Sequence, residues 1–105
     1  MTTQSISNKR TNQREVERLI DRVTHLVTPP LAGALGRVLT LQYVREQLEQ
    51  GMQDQAAVFD SEPAGSRAQA KAGAAYLDLA AQQTIIGEIM IAEKRERRAS
   101  ERSNA

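Results

Sequence analysis

Apolar positions recur at helical spacing along most of the chain, in segments separated by two clusters of helix breakers. The first segment opens near Asn12, with Glu15 at capping-box distance. Val16, Leu19, Ile20, Val23, Leu26 and Val27 form its apolar face, and Arg14, Arg18 and Arg22 make an i, i+4 row on the opposite side. Thr28-Pro29-Pro30 stops this helix, because proline lacks a donor N–H and restricts the residue before it. The same prolines suit the first turn of a second helix, with Thr28 or Pro29 near its N-cap. Leu31, Ala34, Leu35, Val38, Leu39, Leu41, Gln42, Tyr43, Val44 and Leu48 give that helix a broad apolar face. Gly51 is a point of interruption, after which Met52 to Phe59 carry the helix on towards Asp60.

The second breaker cluster, Ser61-Glu62-Pro63-Ala64-Gly65, leads into Ser66 with Gln69 three residues on, a capping-box spacing. No proline follows, and Ala, Gln, Glu, Arg and Leu, all good helix formers, dominate as far as Arg98. A stripe of Ala72, Ala75, Tyr76, Leu79, Gln82, Gln83, Ile86, Ile89 and Met90 has helical spacing over a segment that would span roughly 50 Å. Within it, Ile85-Ile86-Gly87-Glu88-Ile89-Met90-Ile91 wraps apolar surface around most of the helix, since Ile85 and Ile91 lie off the stripe. The same run also fits a β-strand in length and isoleucine content. Its flanks, Ala80 to Gln83 and Ala92 to Glu96, are helix formers with no turn signal, and they favour the helix.

The pattern predicts an all-α fold, in which a short N-terminal helix is followed by a long antiparallel helical hairpin. The helices are expected at about 12–28, 30–59 and 66–98, within a single α-helical unit over 11–98. Residues 1–10 read as a flexible polar arm and 99–105 as a basic polar tail.

Composition changes this picture in one respect. At 105 residues with 3% aromatic side chains and no Trp, the chain has few large groups to bury, so a lone monomer would be marginally stable. Oligomerisation or docking onto a partner is the expected completion. The absence of cysteine excludes disulfide scaffolds, thiol catalysis and Cys-based zinc sites. No signal peptide is legible, and the most apolar stretch, Leu31 to Val44, is short for a membrane span and contains Arg37. The expected location is cytoplasmic, or within an intracellularly assembled particle.

The net charge is only +1, but it is unevenly placed. Residues 1–30 hold five Lys/Arg against three Asp/Glu, residues 31–66 two against five, and residues 67–105 seven against five. The bend between the long helices is therefore acidic, and both chain ends are basic.

Candidate chemistry is sparse. His25, the sole histidine, falls near the C-terminus of the first helix, where an imidazolium is favourable to the dipole, and no Ser or Cys motif accompanies it. Glu88 sits inside an apolar run; buried, it would need a paired cation or a raised pKa, and on a solvated helix edge it would need neither. No Glu-x-x-His pair supports a di-metal bundle. Gly33-Ala34-Leu35-Gly36 before Arg37 matches the short GxxG loop of one RNA-binding fold, but the strands that fold requires are missing, and close helix packing explains these glycines as well. Lys94, Arg95, Arg97, Arg98 and Arg102, with Arg14, Arg18 and Arg22, are the candidate phosphate contacts. Interleaved Glu15, Glu17, Asp21, Glu93, Glu96 and Glu101 equally suit solvated helix faces laced with ion pairs, and neither set has an aromatic platform for stacking bases.

These features favour a non-enzymatic structural or assembly subunit that packs side by side in a multi-subunit, virion-like complex, without a cofactor or metal. Its expected protein interface is Ile85, Ile86, Ile89, Met90 and Ile91, meeting a homo-oligomeric neighbour or a larger assembly. The alternatives are a small nucleic-acid-binding regulator using the basic ends, and an inhibitor or adaptor docking onto one larger protein.

Overall fold

The computed structural model of the chain describes residues 2–27 and 33–104, with side chains described from Lys9 to Leu26 and from Gly33 to Ser103. Three helices account for nearly all of it, α1 (Thr2–Val27), α2 (Ala34–Ser61) and α3 (Arg67–Asn104), and there is no strand among the described residues. Ile85 to Ile91 is helical, as its flanks imply. The expected cap at Thr28 or Pro29, and the place of Leu31 on the second apolar face, lie outside the described residues.

The helices are longer at the chain ends than the hydrophobic pattern suggests. α1 begins at Thr2, so the segment read as a flexible arm continues the helix, and α3 runs through the expected tail to Asn104. Neither end contains a proline or glycine, so nothing local stops the helix once a packed segment has nucleated it. Asn12 therefore caps nothing; it lies within α1. α2 begins at Ala34 and not at residue 30. Gly33, in the left-handed region at φ 87°, is its N-cap without any side-chain cap, and the Arg37 N–H donates to the Gly33 carbonyl at 3.1 Å. Helix α2 passes through Gly51 without a break.

The turn between α2 and α3 follows from its sequence. The Glu62 N–H and the Ser61 hydroxyl both donate to the Val58 carbonyl, at 3.0 Å each, and satisfy the end of α2. Gly65 takes φ 79°, where a Cβ would be strained. The Gln69 N–H then donates to Ser66 Oγ at 3.1 Å, so the cap read from Ser66 and Gln69 is present. The Gln69 side chain accepts from the Gly65 N–H at 2.8 Å, one residue earlier than in a reciprocal capping box.

The core gathers Val16, Ile20 and Val23 of α1, Leu41, Val44 and Leu48 of α2, and Ile86 of α3. Leu19, Leu79, Ile85, Ile89 and Met90 pack against it. Burying each such side chain contributes about 1.5–3 kcal/mol. All three helix pairs are in contact, α2 with α3 most extensively. Along that pair Arg37 meets Glu93, a Cβ on Gly51 would meet Leu79, and one on Gly73 would meet Phe59. The molecule is elongated, with extents of 58 × 33 × 19 Å and a radius of gyration of 16.9 Å.

The apolar faces expected of α1 and α2 are buried only in part. Leu26 remains 73% exposed, and Leu35, Leu39 and Tyr43 form an exposed i, i+4, i+8 row on α2. α2 buries a narrower strip of Gly36, Thr40, Leu41, Val44 and Leu48 instead.

Candidate functional site

Of the interface residues expected from sequence, Ile86 is fully buried, Ile85, Ile89 and Met90 are half-buried against the core, and Ile91 is 55% exposed. Ile85 lines a depression together with Lys9 and Asn12 of α1. The first helix thus shields that isoleucine in part and leaves Ile91 open. Glu88 is exposed on the edge of the same depression, so it is no buried carboxylate.

Ile91 opens into a groove of about 610 Å³ between α2 and α3. Val38, Leu41, Gln42 and Arg45 line one wall and Gln83, Gly87, Met90, Ile91, Lys94 and Arg97 the other. A second depression, of about 380 Å³, lies near the bend and is lined by Ala56, Phe59, Asp60, Gly73, Tyr76 and Leu77. On each helix the two sets of lining residues stand close to whole turns apart, Arg45 to Ala56 on α2 and Tyr76 to Gln83 on α3. Both depressions therefore lie on one face of the helix pair, and none of the described side chains of α1 lines either.

Val38, Leu41, Met90 and Ile91 give that face an apolar floor, and Gln42, Arg45 and Gln83 bring polar groups towards its middle. Arg45, Lys94 and Arg97 border the groove, and Asp60 borders the depression near the bend. Gly87 leaves the groove floor open, because a Cβ there would meet no atom within 4 Å. At the groove's end Arg37 holds Glu93 through Nε at 2.9 Å and Nη2 at 2.7 Å. The hydrogen bond from Arg37 holds the Glu93 carboxyl below its ordinary value, burial opposes this, and the charges of Arg37 and Arg97 add to the lowering.

The candidate phosphate contacts divide between surfaces. Lys94 and Arg97 share the groove with Arg45, a residue absent from the sequence-derived set. Arg95, Arg98 and Arg102 are exposed along α3. Arg14 lines a separate depression on α1 with Lys9, Arg10, Gln13 and Glu17. Arg18 bonds Glu15, whose pKa that bond lowers, and Arg22 is exposed. The depression that Arg14 lines and the groove that Lys94 and Arg97 line share no residue.

The remaining candidates are plainly placed. His25 is exposed, and its Nδ1–H donates to the Asp21 carbonyl at 2.8 Å. Gly36 of the GxxG sequence is buried within α2, so these residues form a helix start and not a clamp loop. Among the described residues, no group of three His, Cys, Asp or Glu could hold a metal ion, and no helix is long and apolar enough to cross a membrane. No protein-family model, curated protein or solved structure matches the chain.

Proposed function

We propose that the chain is a non-enzymatic assembly subunit, which packs side by side with its neighbours in a multi-subunit, virion-like complex. One observation carries this proposal. A face with an apolar floor runs along α2 and α3, opens at Ile91, and is lined by none of the described side chains of α1. Large exposed apolar faces rimmed by polar groups mark protein–protein contacts. The face belongs to a pair of helices that we read as an antiparallel hairpin, in which the partner of a residue on α2 falls in number as that residue rises. The contacts of Arg37 with Glu93, Gly51 with Leu79 and Phe59 with Gly73 support that reading.

The test is a single charge placed on the open face. Ile91→Lys removes an exposed isoleucine without touching the core, so helicity and the urea midpoint should stay near those of the unchanged chain. Sedimentation over a micromolar to millimolar range should show the unchanged chain associating and the variant remaining monomeric. A chain that stays monomeric throughout would defeat the proposal as homo-assembly. Ile85→Lys is the contrast, since Ile85 packs against the core and its loss should lower folding stability directly.

A further inference from the structure

We infer that the α2/α3 face is occupied by a second copy of this chain, laid across it in the opposite direction, so that two hairpins close a four-helix core. The inference rests on the assembly reading above and takes the reversed pair as the unit from which that assembly is built.

The charges on the face carry it. Near the chain-end side of the pair the groove is bordered by Lys94 and Arg97, and near the bend the depression is bordered by Asp60. A copy laid in the same direction would set Arg45, Lys94 and Arg97 level with their own counterparts, whereas a reversed copy sets the acidic bend over Lys94 and Arg97 and separates the two Arg45 residues by ~9 Å along the axis. The register makes this specific. The contacts of Arg37 with Glu93 and Gly51 with Leu79 place Leu48 near the middle of the pair, with Lys94 level with Gly36. Asp60 then stands about 18 Å to one side of the middle and Lys94 about 18 Å to the other, at ~1.5 Å per residue. A two-fold axis through the middle therefore brings each Asp60 to the level of the other copy's Lys94. It also lays Phe59 and Tyr76 of each copy over the stretch of groove holding Met90 and Ile91 of the other.

The area is sufficient. A helix of 28 residues is about 40 Å long, and two adjacent helices are about 20 Å wide, so the face offers on the order of 800 Å² per copy. That is the usual contribution of each partner to a stable interface.

Full-length chain in low salt is measured by sedimentation equilibrium, alongside three designed changes. Gly87→Arg starts where a Cβ would meet no atom within 4 Å and sends a long side chain into the open groove, so the monomer should remain folded while the dimer dissociation constant rises at least about tenfold. Lys94→Glu and Asp60→Lys should each weaken the dimer, and the two together should restore it towards the original affinity. Within one chain these residues stand at opposite ends of the hairpin, so rescue must come from a second copy in the reversed orientation. A dimer indifferent to Gly87→Arg, or a double swap without rescue, overturns the inference while leaving assembly through another surface standing. A trimer or other odd-numbered species that is lost with Ile91→Lys has the same effect. A monomer at every concentration overturns both proposals and leaves the face to a different protein or to a nucleic acid.

Discussion

Asn12 is 5% exposed in the middle of α1, and its Oδ1 accepts from Gln82 Nε2 at 2.9 Å. Its own Nδ2 reaches Asp78 at 3.5 Å, a longer contact. A buried amide that loses its partner forfeits about 1–3 kcal/mol. Asn12→Ala should therefore shift the urea midpoint by that amount, and Gln82→Leu by a similar one. Because each change strands the other amide, Asn12→Leu with Gln82→Leu should cost less than the two separately, and additive losses would show that the amides do not act as a pair. Arg37 and Glu93 make a second long-range tie. The folded-state pKa of Glu93 is lowered, so its contribution is whole above its ordinary value of 4.5 and is lost as pH falls through the lowered value. Both side chains are partly in water, so about 0.5–1 kcal/mol is at stake. Arg37→Ala should thus be less stable than the unchanged chain at pH 7, with the gap closing as pH falls below 4.5 and through the lowered value; a gap constant with pH would assign the loss to packing alone. Neither tie was legible in the sequence. The partner of Asn12 is 70 positions away, and its type and spacing before Glu15 also satisfy a local capping rule.

The elements themselves were legible wherever the signal is local. Ser66 and Gln69 announced the start of α3 because both bonds of that cap lie within a few residues. The α3 stripe was legible too, from Ala72 through Gln82 and Ile86, which are its buried residues. The ends of α1 and α3 were not, since a polar segment without a breaker is compatible with either state. Leu35, Leu39 and Tyr43 looked like core and are exposed, because periodicity reports that a side of the helix is apolar and not which neighbour reaches it. Three glycines inside helices give a graded test. Each lacks the propensity of alanine by about 1 kcal/mol. A Cβ on Gly87 meets nothing within 4 Å, one on Gly51 meets the flexible end of Leu79 at 3.2 Å, and one on Gly73 meets the Phe59 ring at 3.2 Å and 3.3 Å. At concentrations where the chain is monomeric, Gly87→Ala should raise the urea midpoint most, Gly51→Ala less, and Gly73→Ala least. A reversed order would mean that propensity is not what limits stability in these helices.

At the scale of the whole molecule, α1 lies against one side of the α2/α3 pair, and none of its described side chains covers the groove on the other. The uneven charge was legible as an acidic segment between basic ends. That Arg45, Lys94 and Arg97 border one groove, and Asp60 a depression on the same face, follows only from packing. The elongated outline has a hydrodynamic consequence. A chain of 105 residues packed as a ball has a radius of gyration near 13 Å, against 16.9 Å here. Elution from a sizing column follows friction, which rises with elongation, so a single copy should elute somewhat ahead of a ball of its own mass. A second copy stacked across the α2/α3 face would add to the short dimensions and not to the 58 Å one, so the pair would be less elongated than the single copy. Shape and mass then act in opposite senses on elution, a sizing column understates the step from one copy to two, and a measurement that weighs the particle is the one that counts its chains.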